Sequence, residues 1–305
     1  VFTTESVAPT GVVADDFSDG ALNRTLWAHV DPLGDGALGF EGAGTEDARL
    51  LLTVGPGVHE MAPAGNGAPR VMQRAPDTDM VLEAKFDALP TADGQAQGVL
   101  VEQDSAAYLW FGVRREEGRL YAWAGRLIGG TVSTLGRIEI TDAAAPLYLR
   151  AGREGNTWKQ WYARDGAQWH LTAVYTQPLR VNRVGLFAAN GSGGPAFTAV
   201  VDYLMDTAHP LDPEDGPRAA LTVHVVGSGR VERWPERPAY HLGEEVELRA
   251  LPAAGWRFVG WEGDAAGAES RITVTVSRDL SVLARFAPEA ATGGEMLLAL
   301  PLVQR

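Results

Sequence analysis

Three stretches place aromatic side chains at alternate positions. In Tyr108-Leu109-Trp110-Phe111-Gly112-Val113 an extended backbone sends Leu109, Phe111 and Val113 to one face, and Tyr108 and Trp110 to the other. In Leu120 to Gly125 the same rule sends Tyr121 and Trp123 together. In Thr157 to Ala163, Trp158 and Tyr162 share one side while Lys159 and Trp161 share the opposite one. With the aliphatic faces packed into a core, Tyr108, Trp110, Tyr121, Trp123 and Trp161 would line an outer sheet surface. A sugar ring stacks its C–H face on such rings, and the flanking Glu102, Gln103 and Arg114 carry groups that bond hydroxyls. The same rings also suit capping of sheet edges or burial beneath loops, because Trp is usually mostly buried.

Catalytic constellations are harder to find. A glycosidase needs two carboxylates facing each other across the sugar, and no Glu-x-Asp-x-x-Glu run occurs. The adjacent acids Glu116-Glu117 and Glu244-Glu245 lie beside glycine in apparent turns, where like charges are normally just solvated. His29, His59, His170, His209, His224 and His241 show no His-x-x-x-His spacing, and neither a Gly-x-Ser-x-Gly elbow nor a phosphate-cradling glycine loop is present. Gly227-Ser228-Gly229 is more simply a hairpin turn. Asn23-Arg24-Thr25 and Asn190-Gly191-Ser192 match the glycosylation sequon, a short pattern that also arises by chance. The chain is therefore expected not to be an enzyme.

The composition narrows the partners. Against 39 Asp and Glu stand 26 Lys and Arg, a net charge of −13, so nucleic acid and anionic lipid, which need clustered cations, are not expected. With no cysteine, disulfides, thiolate nucleophiles and Cys-based metal sites are excluded. The longest apolar stretches, such as Met296 to Val303, are far shorter than the roughly 20 residues of a membrane-spanning helix. Val1 is not an initiator Met and no basic-then-apolar leader opens the sequence, so a processed or trimmed product is expected.

The elements that must hold these side chains read as strands. Apolar runs of four to seven residues alternate or are β-branched and aromatic, and they end at Gly, Asp-Gly, Asn-Gly or Pro. No segment keeps an i, i+3, i+4, i+7 stripe over three turns. At 305 residues about two domains are expected, and the run Ala208 to Pro217, with three prolines and three acids, reads as an extended linker. The expected organisation is a first β domain over 1–207, a linker over 208–219, a small β domain over 220–287, and a linker with an apolar strand-like tail over 288–305.

From Asp15 to about Asp206 the order of motifs resembles the concanavalin A-like jelly rolls found as accessory domains of family 43 β-xylosidases. The pieces are Asp15-Asp16-Phe17-Ser18-Asp19-Gly20 with Trp27, Arg70-Val71-Met72-Gln73-Arg74, Gly98 to Val101 with Tyr108 to Val113, Leu147 to Arg150, Trp158 to Gly166 with Trp169, Val184 to Ala188, and Phe197 to Tyr203. The resemblance implies an all-β jelly-roll sandwich whose outer aromatics lie on its concave sheet. It also implies a structural Ca²⁺ tying the N-terminal turn to an acid on the last strand, at Asp16, Gly20 and Asp202. Hard oxygen ligands are what Ca²⁺ takes, and an acid within Val200-Val201-Asp202-Tyr203 needs a partner. The alternatives for Asp202 are solvent or an arginine.

From Leu221 to Ala287 the chain resembles the divergent internalin-type B-repeat, a small β-grasp-like module of bacterial surface proteins. It does so through Gly227 to Val231, Tyr240 to Val246, Ala253 to Asp264 and Val282 to Phe286. That resemblance implies an extracellular or cell-surface location. The two together suggest a non-catalytic pair in which the jelly roll recognises a polysaccharide or surface glycan. The rival is a structural surface protein whose copies assemble through Met296 to Val303 added to a neighbouring sheet edge.

Overall fold

The computed structural model describes residues 11–43, 45, 47–62, 65–191, 193–211, 218–236 and 239–289. The apolar tail Met296 to Val303 lies outside them. The chain divides into two compact units after Pro217, and all regular structure among the described residues is β.

The first unit holds β1 (Trp27–Val30), β2 (Ala37–Glu41), β3 (Arg49–Val54), β4 (Met61–Ala62), β5 (Gly65–Asn66), β6 (Arg70–Arg74), β7 (Met80–Phe86), β8 (Gln95–Asp104), β9 (Ala107–Glu116), β10 (Arg119–Ile128), β11 (Thr131–Glu139), β12 (Leu147–Glu154), β13 (Thr157–Ala163), β14 (His170–Thr176), β15 (Arg183–Asn190) and β16 (Phe197–Asp206). Fourteen of them form two seven-stranded antiparallel sheets, in the orders β1-β6-β15-β8-β9-β10-β11 and β14-β13-β12-β7-β16-β3-β2, and β4 and β5 pair apart from both. The jelly-roll sandwich that the motif order implies is what the chain forms.

Alternation explains the packing. Leu50 and Leu52 of β3, Leu82 and Phe86 of β7, Val99 and Val101 of β8, Leu109 and Phe111 of β9 and Trp158 of β13 meet between the sheets and are all but fully buried. At about 1.5–3 kcal/mol for each large side chain removed from water, this layer dominates the unit's stability. Tight turns connect the long strands: Glu117 and Gly118 both take positive φ between β9 and β10, as do Gly129 and Gly130 between β10 and β11, the backbone that a two-residue type I′ hairpin demands.

The second unit holds β17 (Arg218–Ala219), β18 (Leu221–Val226), β19 (Gly229–Trp234), β20 (Tyr240–His241), β21 (Glu245–Pro252), β22 (Trp256–Gly263), β23 (Arg271–Thr275) and β24 (Leu280–Pro288). Two three-stranded sheets, β18-β24-β22 and β19-β21-β23, accompany the short pair β17-β20. β18 and β24 run parallel. The core of this unit is Leu221, Tyr240, Val246, Leu248, Trp261, Val282 and Phe286 with their neighbours.

Candidate functional site: the outer faces of the sandwich

On the first sheet the inner face is aliphatic and the outer face aromatic. β9 and β10 pair so that Tyr121 stands opposite Arg114 and Trp123 opposite Gly112, which puts Tyr108, Trp110, Tyr121 and Trp123 on the face turned away from the main core. Tyr108, Trp110 and Trp123 do come together: Trp110 lies 6.2 Å from Tyr108 and 5.0 Å from Trp123 between ring centroids. Gly125 makes this possible, because a Cβ there would stand 2.2 Å from the Trp110 ring.

These rings are covered. Tyr108, Trp110, Tyr121 and Trp123 are only 1, 0, 7 and 8 % exposed. Met61 from β4, Ala68 from the segment after β5, Met72, Leu100, Leu127 and Phe187 pack with Tyr108, Trp110 and Trp123 into a second apolar cluster. Arg70 fastens that cover by donating Nη1 to the carbonyls of Asn66 and Ala68. The open platform expected of these four residues is thus closed: Tyr108, Trp110 and Trp123 form a small outer core beneath a chain segment 40 or more residues away in sequence, and Tyr121, outside that cluster, is buried too. The Tyr108 hydroxyl and the Trp110 indole N–H are buried there without hydrogen-bond partners. Burial, with the nearby Glu102 carboxylate adding to it and Arg70 opposing, pushes the Tyr108 hydroxyl up to about 12.

Two guanidiniums also lie over the rings of β10. The Arg137 guanidinium lies 3.7 Å from the Tyr121 ring centroid and that of Arg114 lies 5.2 Å from Trp123. Glu116 joins them, with Oε2 accepting from Arg137 Nε at 2.8 Å and Oε1 lying 3.1 Å from Arg114 Nε. The Arg114 contact is an ion pair off the line of a hydrogen bond, which leaves that N–H unpartnered. Glu116, read from sequence as one of two solvated turn acids, is instead the hinge of this arrangement; Glu117 alone sits in the turn.

Trp161 belongs to the other sheet. It stands on β13 between Arg150 of β12 and Leu171 of β14 in register, so the five predicted aromatics do not form one surface. The outer edge of its indole crosses β12 at Gly152, where a Cβ would stand 2.7 Å from Cζ3. Arg150 lies 3.8 Å from the centroid of Trp169 and donates Nε to Glu83 Oε2 at 2.8 Å. Trp169 sits in the loop before β14, where strand alternation gives no signal for it.

The residues that resemblance assigns to calcium are also met by the chain itself. Asp202, 2 % exposed, pairs with Lys85. Burial raises the Asp202 carboxyl above its usual range and Lys85 opposes that rise. Asp16 Oδ1 accepts from Ser18 N and Oγ, and Gly20 takes positive φ in a turn closed by its N–H to the Phe17 carbonyl. The tie between the N-terminal turn and β16 runs through backbone, with Asp15 N to Leu204 O at 2.9 Å and Leu204 N to Asp15 O at 3.0 Å. Among the described residues no three acids or histidines converge on a metal-sized site.

Glu83, Glu102 and Asp202 are matched to cations, while the buried Asp15 and Asp206 accept from N–H donors. Glu83 pairs with Arg150 and accepts from the Tyr203 hydroxyl, and Glu102 faces Arg70 at 3.7 Å.

Residues 219–290 match the family model of the divergent InlB B-repeat domain. Among solved structures the sandwich is similar to that in the GH43 protein BlXynB of Bacillus licheniformis, at 23% identity and a TM-score of 0.53 over 64% of this chain and 39% of that one. A mutant of the same protein gives 21% and 0.50 over 63% and 38%. A GH43 glycoside hydrolase, engineered in its active site to display both endo-xylanase and exo-arabinofuranosidase activity, gives 14% and 0.51 over 68% and 42%. The chain thus spans about two fifths of those proteins, and the likeness is one of fold. No curated protein matches it.

Proposed function

We propose that the sandwich unit is a non-catalytic recognition module for a polysaccharide or surface glycan, and that the chain works outside the cell or at its surface. The B-repeat match supports the location. The observation that carries the binding reading is the pair Tyr121 and Trp123 on an outer sheet face, with the Arg137 and Arg114 guanidiniums laid over their rings. A guanidinium over an aromatic ring is worth about 0.5–1 kcal/mol where exposed and about 2 kcal/mol where desolvated, so a sugar ring displaces the more exposed Arg137 more readily than Arg114, whose Nε is buried. Glu116 keeps both arginines beside the ring, where their N–H groups can donate to sugar hydroxyls. Binding of the whole chain on an array of polysaccharides and oligosaccharides tests this, with retention of at least one expected. Hydrolysis of a chromogenic glycoside, retained after removal of any contaminating enzyme, overturns the non-catalytic part.

A further inference from the structure

The outer face of the second sheet carries an arrangement that the first-sheet reading does not use. Three register pairs run straight across four strands: Glu83 with Arg150, Arg150 with Trp161, and Trp161 with Leu171. All four side chains point away from the main core. Their strand neighbours Leu82, Leu149, Trp158 and Tyr162 fill it, and a bulge at Gln160/Trp161 brings Leu171 opposite Trp161 on the outer side. In the adjoining row Lys159 stands opposite Val174.

Leu171 and Val174 are 51 and 53 % exposed, and Trp161 beside them is half-buried. Sparse exposed aliphatics are normal on a protein surface, but these flank an indole on one sheet face. Gly152 makes room for that indole by lacking a Cβ. The polar groups around it are already fixed: Arg150 by Glu83 and by the Trp169 ring, Lys159 by Glu154 at 3.0 Å. Both remain about one-third exposed, with N–H groups to spare beyond those bonds.

We propose that this row is a second carbohydrate-binding surface, on the sheet opposite the first, in which a pyranose ring of a polysaccharide stacks on Trp161 with Leu171 and Val174 flanking it. Arg150 and Lys159 donate to its hydroxyls. A preset guanidinium and ammonium beside a partly exposed indole suit a ligand with an apolar C–H face and many acceptor oxygens. The backbone beneath it is paired strand on both sides of the Gln160/Trp161 bulge. Because it lies on a different sheet from Tyr121 and Trp123, it stands or falls separately from the first-sheet reading.

The test uses the full chain against immobilised xylan, mixed-linkage glucan, mannan and peptidoglycan, with near-ultraviolet circular dichroism and melting to confirm the fold of each variant. Trp161→Ala is expected to weaken binding to at least one of these about five- to tenfold relative to wild type, while Trp161→Phe, which keeps a stacking ring, retains most of it. Trp123→Leu, on the other sheet, retains the Trp161-dependent part. If Trp123→Leu loses binding but Trp161→Ala does not, the first-sheet reading stands and this one is overturned. Wild type that binds none of the four polysaccharides overturns it as well. So does a change of mass in light scattering for Leu171→Ser, which would mark the patch as a contact between protein chains.

Discussion

Arg114 stands opposite Tyr121 in the β9–β10 ladder, yet its guanidinium lies over Trp123, 5.2 Å from the ring centroid. Arg137 makes the reciprocal crossing: it is the register partner of Trp123 and covers Tyr121. Each arginine therefore reaches along a diagonal, within range of long side chains on a twisted sheet, and Glu116 between them fixes which ring each one covers. Two charged groups thus lie over Tyr121 and Trp123, beside the apolar cluster that Trp123 shares with Met61 and Leu127.

Lys85 is expected to be the cation that Asp202 needs. Lys85→Met should destabilise the sandwich by about 3 kcal/mol, because it leaves a buried carboxylate without a partner. Burial raises the Asp202 carboxyl, so its protonated form is favoured in the folded state and the penalty in the variant should shrink as pH falls through the raised value. In wild type a chelator should leave the melting temperature unchanged. A chelator-induced drop would instead return Asp16, Gly20 and Asp202 to the role of calcium ligands.

Gly125 should not tolerate a side chain. A Cβ within 2.2 Å of the Trp110 ring and 2.7 Å of the Ser133 carbonyl cannot be accommodated by a small rotation, so Gly125→Ala should cost about 1–3 kcal/mol in denaturant unfolding. Gly11, with nothing among the described residues within 4 Å of the corresponding position, is the control and should be close to neutral.

Much of this was legible in the sequence. Alternation placed Trp158 and Tyr162 inside and Lys159 and Trp161 outside, and the structure has them so. What alternation cannot tell is which sheet a strand joins, since that depends on pairings made over long sequence separations; Trp161 was therefore grouped with Tyr108 and Trp110, from which a whole sheet divides it. Nor does period two reveal what lies over an outward ring. Met61 and Ala68 cover Trp110 from far along the chain. The tie between Asp202 and Lys85 is hidden in the same way, because β7 and β16 meet across more than 100 residues at a bulge.

In the second unit, the Arg278 side chain and then the Ser281 backbone N–H hold the Asp264 carboxyl below its usual range, and Arg285 does the same for Glu262. Depressed folded-state values mean that these pairs contribute stability above the ordinary carboxylate range and lose it as pH falls through the depressed values. The pairs are exposed, so the contribution should be small and should fade in high salt. Comparing melting of wild type with Asp264→Asn at neutral and acidic pH checks this: the difference should be present at neutral pH and vanish in acid. A difference that persists at acidic pH would contradict it.

Glycan binding through the aromatic rings of an outer sheet face, as proposed above, can be measured directly. The most direct measurement is affinity electrophoresis of wild type and Trp123→Leu in gels containing the polysaccharide that wild type retains best on the array, with melting curves confirming that both are folded. Retardation of wild type, with the variant's affinity reduced about tenfold, is the predicted result. Equal retardation of the two proteins, or no retardation of wild type by any polysaccharide, would contradict it.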